Sequence, residues 1–68
     1  MDHHTRALTA EEESLKQEAI AMARRAPGSQ TAAKGSISAT AYAEPALGRI
    51  RWSVYHNGPV ADGAVPLA

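Results

Sequence analysis

Residues 37–56 read as two runs of alternating polarity, ISATAYAE and RIRWSVYH, joined by Pro45-Ala46-Leu47-Gly48. No other feature restricts the fold as strongly. Side chains on a strand alternate between faces, so a one-residue slip in pairing sends every apolar group to the wrong side. A loop over 44–48 would set Ala43 against Arg49 and Ala41 against Arg51, splitting the apolar rows of the two strands. A loop over 45–48 instead sets Glu44 against Arg49, Tyr42 against Arg51, Ala41 against Trp52 and Ser38 against Tyr55. One face then gathers Ile37, Ala39, Ala41, Ala43, Ile50, Trp52 and Val54, and opposite charges meet directly across the strands. Pro45 suits the first corner of a type I turn, and Gly48 suits a left-handed residue that closes the loop. The shorter loop is selected, with strands over 36–44 and 49–56.

The apolar face needs a cover, and the N-terminal third supplies one. Thr9-Ala10-Glu11-Glu12 fits a capping box, in which the Thr9 hydroxyl accepts from the Glu12 amide and the Glu12 carboxylate accepts from the Thr9 amide. Glu11, Glu12 and Glu13 sit where the helix dipole favours negative charge, and Arg24 and Arg25 sit at the opposite end. Pro27-Gly28 stops the helix, because the residue before proline is driven out of helical conformation. The pattern predicts a helix over 10–25. Its apolar stripe is narrow: Leu15 and Met22 are padded with alanine and extended by Leu8, and Ile20 falls off it. Ile20 is therefore expected to be part-exposed or to touch a second chain.

Two segments show no periodicity. PGSQTAAKG, residues 27–35, reads as a linker returning the chain over the sheet. The tail over 57–68 is rich in Gly, Pro and Ala; Asn57-Gly58 signals a turn, and Pro59 and Pro66 oppose a regular ladder. The tail is expected to be mostly disordered, and residues 1–8 are expected to form a flexible N-terminus. The fold class is α+β: one N-terminal amphipathic helix packed on an antiparallel β-hairpin (α-β-β) within a single domain over 9–56, with a core seated on Trp52.

Such a hairpin is marginal alone. The chain has 68 residues and no cysteine, so neither a disulfide nor a thiolate metal site can staple it. Ordering each residue costs about 1.5 kcal/mol, which a core padded with alanine barely offsets. Both sheet edges are open, and either a short third strand near Val60 or a sheet completed by dimerisation would close one. A homodimer is the favoured expectation.

Function is bounded mostly by exclusion. The formal charge is zero, with acidic residues concentrated toward the N-terminus and Arg24, Arg25, Lys34, Arg49 and Arg51 in the middle. This balance disfavours a dedicated nucleic-acid binder while leaving room for a local basic patch. No apolar run reaches the roughly 18 residues of a membrane span, and no leader-like segment opens the chain. A complete, cytoplasmic protein without a membrane partner is expected. No Gly-rich phosphate loop and no nucleophile–base–orienter pattern is present, so neither catalysis nor a cofactor is expected.

Two features could bind something. The polar sheet face carries Tyr42, Arg49, Arg51 and Tyr55. Tyrosines and arginines can anchor a protein partner, or contact phosphates and stack on bases. Its plain alternative is a solvated outer face. Separately, Met1-Asp2-His3 offers an amine, two amides and the His3 imidazole to Cu(II) or Ni(II), which favour planar nitrogen coordination. A histidine in third place arises often by chance. The expectation is a non-enzymatic protein-interaction module or accessory subunit that self-associates. Its alternative is a nucleic-acid-binding accessory protein that uses the same four residues.

Overall fold

The computed structural model describes residues 7–68. One helix, α1 (Ala10–Arg25), precedes four strands: β1 (Gln30–Lys34), β2 (Ile37–Glu44), β3 (Arg49–His56) and β4 (Pro59–Pro66). The strands form one antiparallel sheet in the order β1-β2-β3-β4. The helix packs on one side of it, against β1, β2 and β3.

The capping box forms. The Glu12 amide donates to Thr9 Oγ1 at 3.2 Å, and the Thr9 amide donates to Glu12 Oε1 at 2.9 Å. The β2–β3 register is the one that parity selects, with Tyr42 opposite Arg51, Ala41 opposite Trp52 and Glu44 opposite Arg49. Pro45–Leu47 make a single 3₁₀ turn, and Gly48 closes it at φ 65°, in the left-handed region that side chains avoid.

The sheet is wider than the hairpin expected from the sequence. The segment read as a linker contains β1, joined to β2 by the two-residue turn Gly35-Ser36, with Gly35 at φ 62°. That turn also begins β2 at Ile37, one residue later than expected. The tail read as disordered is β4, entered through Asn57 (φ 59°) and Gly58 (φ 126°). Positive φ at both positions suits the right-handed twist of a tight hairpin. Pro59 and Pro66 begin and end β4, positions where a missing donor is tolerated. One chain thus builds the four-stranded sheet that two copies were expected to assemble.

This extra width also corrects Ile20. It is 3% exposed and lies in the core cluster, because the helix covers β1 as well as the hairpin. The core comprises Leu15, Ala19, Ile20 and Ala23 of the helix against Ala32, Ile37, Ala39, Ala41, Ile50, Val54, Val60 and Ala61 of the sheet. Val60 and Ala61 are both buried although consecutive, because the β3–β4 register shifts at Val54/Tyr55. Of the N-terminus expected to be flexible, residues 1–6 lie outside the described residues, and Leu8 packs against the core.

Trp52 faces the helix side but is only part-buried, so it does not seal the core as expected. It roofs the inner side of β4 instead. A Cβ added to Gly63, its cross-strand partner, would stand 3.0 Å from the indole, so the ring lies directly over the glycine. The Lys16 ammonium sits 4.3 Å from the centre of the indole on its ring face.

Candidate interaction surface: the bare face of the sheet

Strand alternation that buries Ile37, Ala39, Ala41, Ile50 and Val54 turns the remaining positions outward. Across the sheet these form rungs. Tyr55 pairs with Ser38, and Ser53 pairs with Thr40 on one side and Asp62 on the other. Arg51 lies between Tyr42 and Ala64, and Arg49 between Glu44 and Pro66. The middle rung, Thr31-Thr40-Ser53-Asp62, is composed of small side chains, with the Thr31 and Thr40 hydroxyls 3.3 Å apart. Tyr55 on one side, with Tyr42 and Arg51 on the other, stands taller than that floor. The two tyrosines, one on each side of that rung, are 43% and 42% exposed.

The structure brings all four expected residues to this face and separates the roles of the two arginines. Arg49 donates from Nε to Glu44 Oε1 at 2.6 Å, so its charge is already met. Arg51 has no ion pair among the described residues, and its Nε is shielded from solvent without a hydrogen-bond partner. A partly desolvated, unpaired guanidinium gains more from an incoming carboxylate than a fully solvated cation does. Asp62 was not legible as a surface residue because its strand was not legible. It is exposed, shares the face with Arg51, and also has no ion pair among the described residues.

No family model, curated protein or solved structure matches the chain.

A second polar arrangement emerges on the helix side. Glu12 is completely buried (0% exposed), and its Oε2 lies 2.8 Å from Nδ1 of His56. One carboxylate thus serves the helix N-terminus through Oε1 and the end of β3 through Oε2. A carboxylate holding an imidazole by one nitrogen is the orienting half of a catalytic triad. Among the described residues no hydroxyl or other side chain hydrogen-bonds the imidazole's second nitrogen, so the pair fits a structural cross-tie. The sequence placed Glu12 in the capping box, but not its link to His56, which spans 44 positions in the chain.

Other sites offer less. His3 lies outside the described residues, as does the metal motif it completes. No group of three His, Asp or Glu side chains able to hold a metal occurs among the described residues. An open depression of about 260 Å³ near the helix C-terminus is lined by Ala23, Arg24, Ala26, Pro27, Ala43 and Leu67, among others. It falls below the usual size of small-molecule sites, about 300–1,000 Å³. The Arg24 guanidinium there is spent on the backbone, donating to Pro66 O at 2.9 Å and Leu67 O at 3.5 Å. No described helix is long and apolar enough to cross a membrane.

Proposed function

We propose that this chain is a non-catalytic protein-interaction module that works through the bare face of its sheet. The observation that carries the reading is the division between Arg49 and Arg51. The first is neutralised by Glu44, and the second is part-shielded, has no ion pair among the described residues, and lies across the strands from the exposed Tyr42, with the exposed Tyr55 two rungs away. Tyrosine and arginine are enriched among the few residues that carry most of the binding energy at protein interfaces, since each combines a large apolar area with a hydrogen-bonding end. The small middle rung leaves space between them for a partner's side chains.

Charge favours protein over nucleic acid. Glu44 and Asp62 share the face with Arg49 and Arg51, so the surface sums to neutral and sets a carboxylate where a phosphate backbone would pass. Nucleic-acid surfaces instead concentrate positive charge.

The test is comparative affinity capture under quantitative detection. Wild type is set beside a Tyr42→Ala/Arg51→Ala/Tyr55→Ala variant and a control changed on the solvent side of the helix, Gln17→Ala/Glu18→Ala. Proteins retained by wild type and the control but lost from the face variant support the reading. Equal retention by all three rejects it. Salt-dependent binding of mixed-sequence RNA or DNA that vanishes with Arg51 would transfer the face to nucleic acid.

A further inference from the structure

The charges left over on the face are one cation and one anion, Arg51 and Asp62. They stand on adjacent rungs, because Arg51 is opposite Ala64 and Asp62 is opposite Ser53 on neighbouring strands. Diagonal neighbours on one sheet face lie about 7–8 Å apart. No ion pair joins them within the chain, and neither has another ionic partner among the described residues. A surface presenting one unmatched charge of each sign is complementary to itself. A two-fold axis between two such faces sets Arg51 of each copy against Asp62 of the other, and both contacts form at once, as an isologous interface requires.

We infer, building on the reading of this face as a protein-binding surface, that its partner is a second copy of the chain, held face to face by reciprocal Arg51–Asp62 pairs. This differs from the edge-to-edge dimer expected from the sequence, since the chain supplies its own four strands. The terminal amino groups of Arg51 meet the partner's carboxylate, and its Nε is shielded from solvent without a hydrogen-bond partner.

Area sets the strength. Strands about 4.8 Å apart with about 3.3 Å per residue give this sheet a projected face of roughly 450 Å². Twice that is below the span of standard stable interfaces, about 1,200–2,000 Å². The dimer is therefore of the small, transient kind, weak and exchanging.

Sedimentation equilibrium from about 10 µM to 1 mM tests this with charge reversals. Wild type should pass from the 7.2 kDa monomer toward twice that mass. Arg51→Asp and Asp62→Arg, each alone, should associate at least tenfold more weakly, staying monomeric at concentrations where wild type dimerises. Mixed in equal amounts the two variants should dimerise again, because each supplies the charges the other lacks; a pairing within one chain cannot produce that recovery. Cooperative melting of each variant establishes that it is folded, and Arg51→Gln and Asp62→Asn, which introduce no repulsion, should weaken the dimer about fivefold. A wild type that is monomeric throughout, single reversals that dimerise like wild type, or a mixture that stays monomeric each overturns the inference. If capture still depends on Tyr42, Arg51 and Tyr55 in any of those cases, the face remains a protein-binding surface with a different partner. If capture is also indifferent to them, both conclusions fall.

Discussion

The two faces of the sheet are built from the same strands, residue by alternate residue, yet they differ in nearly every physical respect. Under the helix, Ala39, Ala41, Ile50 and Val54 are essentially sealed. On the reverse, Ser38, Thr40, Ser53, Arg51, Tyr42 and Tyr55 meet solvent to varying degrees. The described residues supply one α-helix with which to cover two faces. Stability is therefore concentrated on the covered side, and residues on the other are free to be set by something other than folding. The two arginines repeat the contrast within the bare face: Arg49 is held by its neighbour across the strands, and Arg51 has no ion pair among the described residues.

The contrast between faces can be broken most directly at Ile50, the largest fully buried side chain. Ile50→Ala should cost about 2–5 kcal/mol, enough to unfold much of the population of a small domain, as read from urea denaturation. A loss below about 1 kcal/mol would mean that the covered face is not the core.

Next in size is Glu12, whose carboxylate has partners at both ends of its reach. Glu12→Ala removes the acceptor for the Thr9 amide and leaves the His56 imidazole without its carboxylate, an expected loss of about 2 kcal/mol in thermal unfolding. Thr9→Ala, which removes only the hydroxyl cap, should cost about half as much. Equal losses would show that the tie to His56 contributes nothing.

Gly48→Ala forces an alanine to φ near 65° at the end of the β2–β3 loop and should cost about 1 kcal/mol, although no atom stands within 4 Å of the new methyl. An unchanged melting temperature would indicate that the loop rearranges.

The smallest effects belong to the bare face. Tyr55→Ala and Glu44→Ala should each shift stability by less than about 1 kcal/mol, measured at protein concentrations low enough to exclude association. Tyr55→Ala as damaging as Ile50→Ala would mean that both faces contribute equally to folding, which would end the distinction.

What the sequence disclosed follows the same division. The β2–β3 register was legible because parity couples every side chain in both strands, so one misplaced residue would have been visible throughout. The helix was legible from Thr9 and Glu12, whose chemistry is local. β1 and β4 were not, because edge strands obtain their conformation from the neighbour they pair with. QTAAK buries only Ala32, and PVADGAVP carries two prolines, a glycine and an aspartate, residues that also discourage pairing with foreign strands. One signal was available: Gly35-Ser36 is a two-residue hairpin turn of the glycine-first kind, and it marks β1. Ile20 was misplaced for the same reason, since a helix laid on a two-stranded hairpin buries a narrower stripe than one that also covers β1. On the bare face, Tyr42, Arg49, Arg51 and Tyr55 followed from parity. Asp62 did not, because its orientation exists only once β4 is paired.

The placement of Trp52 gives this molecule a built-in optical probe at one seam. It is the chain's single tryptophan, and its indole lies between the Lys16 ammonium above and Gly63 below. Its emission therefore reports whether β4 is docked, while ellipticity reports the helix itself. If β4 peels from β3 before the rest of the domain melts, the fluorescence maximum moves to longer wavelength while helical ellipticity still holds. If the domain opens in one step, the two signals superimpose.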